Sequence, residues 1–422
     1  VTTTAEPRAG ATSPTRPRDS VGFILVLGVL VALGPFTIDL YLPALPTIER
    51  ELHTTSAAVQ LTLTGTLAGL AFGQLVLGPV SDAIGRRRPL LAGLLVHVLA
   101  SLACVLAPGV VTLGVLRVLQ GFGAAAASVI AIAVVRDLFR GVRAARMISR
   151  LILVIGASPV LAPTVGSELL RWTDWRGIFA ALALLGVGVG VVAALRLPET
   201  LPPERRQSGG VRGTGRAYAA LLGDRTFLAL VLVAALMMSA LFAYVAGSSF
   251  VLQEQFGFSE QMFGVVFAVN SVALIGAAQV NVWLLGRWSS AQILVTAVAV
   301  AVLASVALLV LTVAEVGGVW GVLVPLFVVL GGVGFAGPNA SALGLSLHGE
   351  SAGTAAALLG AAQFGLGALT APVVGVLGND GVAMALVIGG STLLAAITLV
   401  GVLRLPVLHT IDTTESDAVV GH

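Results

Sequence analysis

Gly78-Pro-Val-Ser-Asp-Ala-Ile-Gly-Arg-Arg-Arg88 decides how this chain is read. A long apolar run ends there in an acid, a glycine and three arginines, and a second apolar run begins at Pro89. Two membrane helices joined by a short basic turn have this pattern, and the positive-inside bias puts such a turn in the cytoplasm. Composition agrees. The 422 residues are 57% hydrophobic and 10% charged, whereas soluble domains carry about 25% charged residues. A chain this long and apolar has too little polar surface to cover a soluble core.

A span needs about 20 mostly apolar residues. Working outward from the basic turn, such runs fall at 21–46, 57–80, 89–107, 110–136, 146–170 and 176–196, then at 225–252, 260–286, 290–313, 317–346, 350–378 and 381–404. The expectation is an all-α membrane protein of twelve transmembrane helices in two pseudo-symmetric six-helix bundles, 21–196 and 225–404. A polar linker at 197–224 would join them, with cytoplasmic tails at 1–20 (disordered) and 405–422. No lysine occurs, so arginine alone reports orientation. With the first tail inside, Arg50, Arg171 and Arg176 fall outside and Arg117 lies within a span; every other arginine falls inside. Both termini are therefore expected in the cytoplasm, the protein being multi-pass in its membrane. The arginines sit in short loops between apolar runs, so the formal net charge of +3 points to the bilayer and not to nucleic acid.

The halves repeat each other. Val118-Leu-Gln-Gly-Phe-Gly123 matches Val329-Leu-Gly-Gly-Val-Gly334, Ala162-Pro-Thr-Val-Gly166 matches Ala371-Pro-Val-Val-Gly375, and Gly85-Arg86 matches Gly286-Arg287. Three matches in one order point to a six-plus-six duplication.

Four segments of the first half carry a family resemblance. They are Thr37-Ile-Asp-Leu-Tyr-Leu-Pro-Ala-Leu-Pro46, the Gly78–Arg88 loop, Arg117-Val-Leu-Gln-Gly-Phe-Gly123, and Ser158-Pro-Val-Leu-Ala-Pro-Thr-Val-Gly166 followed by Trp175-Arg-Gly-Ile-Phe179. Together they resemble the major facilitator superfamily, and more narrowly its drug:proton antiporters of the bicyclomycin and chloramphenicol resistance type. The resemblance implies a proton-coupled exporter of small, largely apolar drugs or antibiotics that works by alternating access, as a monomer and with no cofactor beyond the coupling proton. The alternative is a proton-coupled transporter of sugars or other metabolites, whose site would want more buried amides and acids than the second half offers. Ala83 stands where the loop motif usually has a basic residue, and Gly286-Arg-Trp-Ser lacks the acid. No GxxxxGK[ST] loop is present to couple transport to ATP, and five scattered histidines with one cysteine do not suggest a membrane enzyme.

Ionisable groups within spans are costly and tend to be functional. Asp39 lies about seven residues from the outer end of its run, roughly 10 Å deep at about 1.5 Å per residue. Burial and a nearby cation push a carboxylate's proton affinity in opposite directions, which suits a group that exchanges protons. The competing reading is a solvated residue at a shorter helix. Arg117 lies at a similar depth and aligns with Val328 in the second half, so the pair Asp39 and Arg117 is the expected proton-coupling site. The competing reading of Arg117 is a structural charge bonded to helix-end carbonyls.

Gly78, Asp82, Gly85, Arg86, Arg87 and Arg136 are expected to form a cytoplasmic gate; by resemblance, Asp82 meets the region of Ser351 and Arg136. Gly156, Pro159, Pro163 and Gly166 make up the antiporter motif, where proline kinks a helix and glycine allows close approach. Phe36, Tyr41, Gln120, Met237, Met238, Phe242, Tyr244, Asn270, Asn339 and Gln363 are candidates for a pocket with apolar walls and few polar groups. His97 sits in an apolar run without an evident partner and reads as structural.

Overall fold

The structure is a computed structural model that describes residues 21–206 and 210–401. Both tails of the sequence reading, and Arg404 at the end of the last expected span, lie outside the described residues. Among those described, helix is the regular element. Twelve helices are long and apolar enough to cross a membrane.

The first half contains α1 (Val21–Asp39), α2 (Leu45–Glu51), α3 (Ser56–Ile84), α4 (Arg87–Val105), α5 (Val110–Leu138), α6 (Gly141–Leu169) and α7 (Trp175–Arg196). The linker contains α8 (Gly210–Gly223). The second half contains α9 (Arg225–Phe250), continued by one π-helical turn at Val251–Gln255, then α10 (Glu260–Leu284), α11 (Ser290–Val313), α12 (Gly318–Ser346), α13 (Ala352–Val376) and α14 (Gly381–Gly401). Short polar caps set several helix starts. The side chains of Thr55, Asp174, Asp224 and Ser259 accept from the first-turn amides of α3, α7, α9 and α10, and Ser289 with Gln292 closes a capping box on α11.

Packing inverts the soluble pattern. Large apolar side chains such as Leu95, Leu184, Leu303 and Val400 face outward, while Gln60, Arg117, Gln120 and Asn339 are buried. In lipid the apolar surface needs no burial, and polar groups find partners inside the bundle. Small residues allow the helices to close on one another. A Cβ on Gly121 would run into the Thr66 carbonyl of α3, and one on Gly123 would lie 2.6 Å from the His97 amide of α4. In the second half Gly332 abuts α11 and Gly334 abuts α10. Each half thus seats one helix by glycine against two neighbours, though the register of the sequence match is exchanged between them.

Across the halves, α3 packs along α13 and α6 along α10. The linker is not merely polar chain. Its helix α8 docks on the bundle, with Leu221 buried beside Phe227 and Ala355 and the Tyr218 hydroxyl donating to Leu75 O at 3.1 Å.

Candidate functional site

The first membrane run is not one continuous helix. Helix α1 stops at Asp39, a turn and a 3₁₀ segment at Leu42–Ala44 follow, and α2 resumes at Leu45. Pro43 and Pro46 lack amide donors, which favours a break here. Asp39 therefore ends a helix inside the bundle, not about two turns within one. The terminal carbonyls of such a helix lack intrahelical partners, and hydrocarbon offers none. Arg117 Nη1 supplies one, donating to Thr37 O at 2.9 Å. A cation at a helix C-terminus also complements the macrodipole. Gly166 of α6 lies directly against Leu40 O, where a Cβ would collide with the backbone. The helix end is thus held from two sides.

Arg117 belongs to a closed hydrogen-bonded ring joining α1, α4 and α5. Its Nη1 also donates to Gln120 Oε1 at 2.6 Å. Gln120 Nε2 donates to Ser101 Oγ at 2.7 Å, and Ser101 Oγ donates to His97 O at 2.7 Å. His97 Nε2 then meets Thr37 Oγ1 at 2.9 Å, returning to the residue whose carbonyl Arg117 holds. All five side chains are buried. His97 therefore has a partner that its local sequence did not reveal: Thr37, 60 positions away on α1.

The Arg117 guanidinium stacks on the Tyr41 ring, 4.0 Å from its centroid, with the Phe179 ring at 5.5 Å. Its Nε and Nη2 are buried and without hydrogen-bond partners. Asp39 is 5% exposed and, among the described residues, forms no ion pair with Arg117. It lies close enough to Tyr41 and to Tyr244 of the second half to interact electrostatically with both.

The pocket candidates divide. Tyr244 stacks on Phe267 at 5.0 Å and accepts from Asn270 Nδ2 at 3.3 Å, facing Asp39 from the second half. Phe36 and Met238 are half-buried against the same apolar cluster, Phe242 packs against Phe364 at 6.0 Å, and Gln363 is half-buried on α13. Gln120 is a ring member. Met237 packs in a separate cluster among α9, α11 and α12, and Asn339 is tied to Asn281 at 2.7 Å between α12 and α10. The last two are not brought to Asp39.

In the basic loop Asp82 pairs with Arg86, and it shares a cavity with Arg136 and with Gly353 and Thr354 of α13, close to Ser351. Arg86 also binds Asp137 at 2.9 Å and Ser81 Oγ at 2.7 Å. Arg136 is exposed and enters no ion pair among the described residues; its side chain lies beside Gly353 on α13. Glu199, beyond α7, accepts from the backbone amides of Arg86 at 2.8 Å and Arg87 at 3.2 Å, while the Arg87 side chain caps Ala194 O. Gly85 adopts φ +101°, a conformation suited to glycine, and the Glu199 carboxylate occupies the space of a Cβ. Gly78 lies beside Val129. Burial opposes the charge of Arg86, but Asp137 and Asp82 outweigh it and push its guanidinium pKa up. Burial likewise opposes ionisation of Glu199, but the backbone donors outweigh it and hold its carboxyl below the usual range. Asp137 and Glu199 were absent from the sequence expectation.

A family model described as the Major Facilitator Superfamily matches residues 25–372. The chain belongs to the Major Facilitator Superfamily. It is 36% identical to an uncharacterized MFS-type transporter, YdgK, of Bacillus subtilis, over 85% of this chain and 90% of that one. It is 31% identical to a bicyclomycin resistance protein homolog of Haemophilus influenzae, over 83% and 88%. A chloramphenicol resistance protein of Pseudomonas aeruginosa is 30% identical over 74% and 73%. In fold, the chain resembles the crystal structure of a D-xylose–proton symporter with TM-score 0.72 and 15% identity, covering 89% of this chain and 96% of that one. A bacterial homolog of the lysosomal transporter Spinster, in an inward-facing conformation, gives TM-score 0.66 at 16% identity, covering 95% and 98%.

Major facilitator proteins are secondary carriers, so this multi-pass membrane protein is a transporter of small organic molecules and not an enzyme. Its halves are latched at the end remote from the basic loop. Gln60 Nε2 donates to Asn379 Oδ1 at 2.7 Å and to Ala246 O at 3.1 Å. Ser249 Oγ donates to Leu42 O, Gln253 to Pro43 O and Gln261 to Ser167 O. At the basic-loop end the ion pairs of Arg86 stay within the first half.

Proposed function

We propose that this transporter exports small, largely apolar drugs or antibiotics across the bacterial cytoplasmic membrane in exchange for protons, with both termini in the cytoplasm. The observation that carries the reading is Asp39: a buried carboxylate at a helix break, free of an ion pair, on the same helix end that Arg117 holds. Loading a proton on Asp39 and losing it to the other side is the coupling step. The unused Nε and Nη2 of Arg117 are the edge of a fork that suits a carboxylate, so ionised Asp39 is their partner at another stage of the cycle. Tyr41, Tyr244 and Asn270 line the passage, with Phe36, Met238, Phe242 and Gln363 as its apolar and polar walls. With the basic loop in the cytoplasm, the latch at Gln60 and Asn379 closes the external face, which supports an inward-facing conformation. The Asp82–Arg86–Asp137–Glu199 cluster is the cytoplasmic gate, and Gly156, Pro159, Pro163 and Gly166 shape the helix against which the halves rock. The resistance proteins among its relatives support the drug class.

A second reading has its own support. The second half buries Asn270 beside Tyr244, and an amide there suits a hydroxylated substrate such as a sugar. Susceptibility of a pump-deficient host expressing this chain, to chloramphenicol, bicyclomycin and dye-like cations, separates the readings when run beside uptake of labelled xylose. Resistance without sugar uptake supports drug export. Sugar uptake without resistance replaces it with metabolite transport.

A further inference from the structure

His97 is a titratable member of the ring with no part in the coupling step as described. Its protonation can be read from its neighbours. Thr37 Oγ1 donates its single proton to Leu33 O at 2.6 Å, so toward His97 it can only accept. The proton therefore sits on His97 Nε2. Nδ1 is buried without a hydrogen-bond partner, facing Gly186 of α7, where an added Cβ would lie 2.9 Å away. A second proton there would find no acceptor.

Thr37 is gripped at both its polar groups: the hydroxyl by His97 from α4, the carbonyl by Arg117 from α5. It is the residue two before Asp39, in the last turn of α1. Asp39 cannot shift along or around that helix end without disturbing one of the two bonds. We propose that His97 is a positioning residue for proton coupling: a neutral Nε2–H donor that, through Thr37, fixes Asp39 relative to Arg117. The inference rests on the reading of Asp39 as the proton carrier. The other charged or titratable groups around the ring are Arg117 on α5, Asp39 and Tyr41 at the end of α1, and Cys104 on the helix of His97 itself; α7 presents Gly186.

Two features separate this role from a proton relay through His97. A relay needs an acceptor for the proton at Nδ1, and none is present. A positioning role needs only a donor at Nε2, which a glutamine amide can supply without titrating.

The test is an infrared pH titration of the purified full-length chain in lipid nanodiscs, following the carboxylic-acid C=O band that Asp39→Asn abolishes. His97→Leu is expected to shift the midpoint of that band by about one pH unit, a roughly tenfold change in proton affinity. His97→Gln is expected to restore the wild-type midpoint. Thr37→Val, which keeps the imidazole and removes its acceptor, is expected to shift the midpoint as His97→Leu does, and the double variant no further. Thr37→Val also carries the test if His97→Leu does not fold. A midpoint indifferent to both His97→Leu and Thr37→Val overturns the proposal. So does His97→Gln shifting as far as His97→Leu, which makes His97 a titrating group. A wild type with no band sensitive to Asp39→Asn contradicts the reading of Asp39 itself, and the proposal falls with it.

Discussion

The Arg117 guanidinium carbon lies 4.0 Å from the centre of the Tyr41 ring, two residues beyond Asp39. Arg117 thus spends its charge on an aromatic face, a helix-end carbonyl and an amide, and not on Asp39. Both readings of this arginine in the sequence meet in one geometry. It caps a helix end, and its Nε and Nη2 stay without partners, as the proposed exchange with Asp39 requires.

Arg117→Lys tests whether charge alone suffices. A lysine ammonium is a point charge that cannot stack flat on Tyr41 while keeping a fixed fork. Drug efflux is expected to fall at least about tenfold in Arg117→Lys, nearly as far as in Arg117→Ala, at matched expression. Arg117→Ala also orphans Thr37 O and the Gln120 amide oxygen, a cost of about 1–3 kcal/mol per buried group. Thermal unfolding in detergent reads that loss, and a Lys variant with full efflux would show that the fork is unnecessary.

The glycines of α6 differ in what they face. A Cβ on Gly166 collides with Leu40 O, whereas one on Gly156 makes ordinary contact with Ile275 at 3.5 Å. Gly166→Ala is expected to destabilise by about 1–3 kcal/mol through overpacking beside Asp39, and to depress efflux. Gly156→Ala should fold normally. Paired melting curves check the contrast.

Glu199 gives a pH signature outside the membrane. Its carboxyl is held below its ordinary value of 4.5. A depressed carboxylate adds stability above its unfolded pKa and loses it as pH falls through the folded one. Glu199→Gln should therefore lower the melting temperature at neutral pH, with the gap to wild type closing as the solution is acidified below 4.5. A gap constant across that range would mean that the charge of Glu199 contributes nothing.

Gln60→Ala removes the central bonds of the latch. Asn379, at φ +58°, is an asparagine held in the left-handed region to meet it. Loss of about 1 kcal/mol of net hydrogen bonding shifts a two-state equilibrium about fivefold. Labelling of Ser249→Cys by an impermeant maleimide from outside should rise by that factor in the Gln60→Ala background. The native Cys104 is buried and contributes little background.

The spans and the basic loop were legible because membrane helices announce themselves by length and hydropathy, and Asp39 and Arg117 because a charge in an apolar run stands out. The break after Asp39 was hidden by apolar residues that continue to Leu45, although Pro43 and Pro46 carried its signal. Nothing local marks Thr37 as the partner of His97, because the bond joins two helices 60 positions apart in sequence. Asp137 and Glu199 read as ordinary loop charges until the fold brings both to Arg86. Met237 and Asn339 show the limit for the pocket. Residue type suggested a wall, while helix rotation, which periodicity leaves open in all-apolar segments, packs Met237 against α11 and α12 and ties Asn339 to Asn281.

Proton exchange at Asp39 is the central claim, and everted membrane vesicles test it directly. Vesicles are energised to form a pH gradient followed by a fluorescent weak base, and a drug to which the wild type gives resistance is then added. The account predicts that the drug partly collapses the gradient in wild-type vesicles and leaves it unchanged in Asp39→Asn vesicles carrying the same amount of protein. Equal collapse in both would contradict Asp39 as the proton carrier.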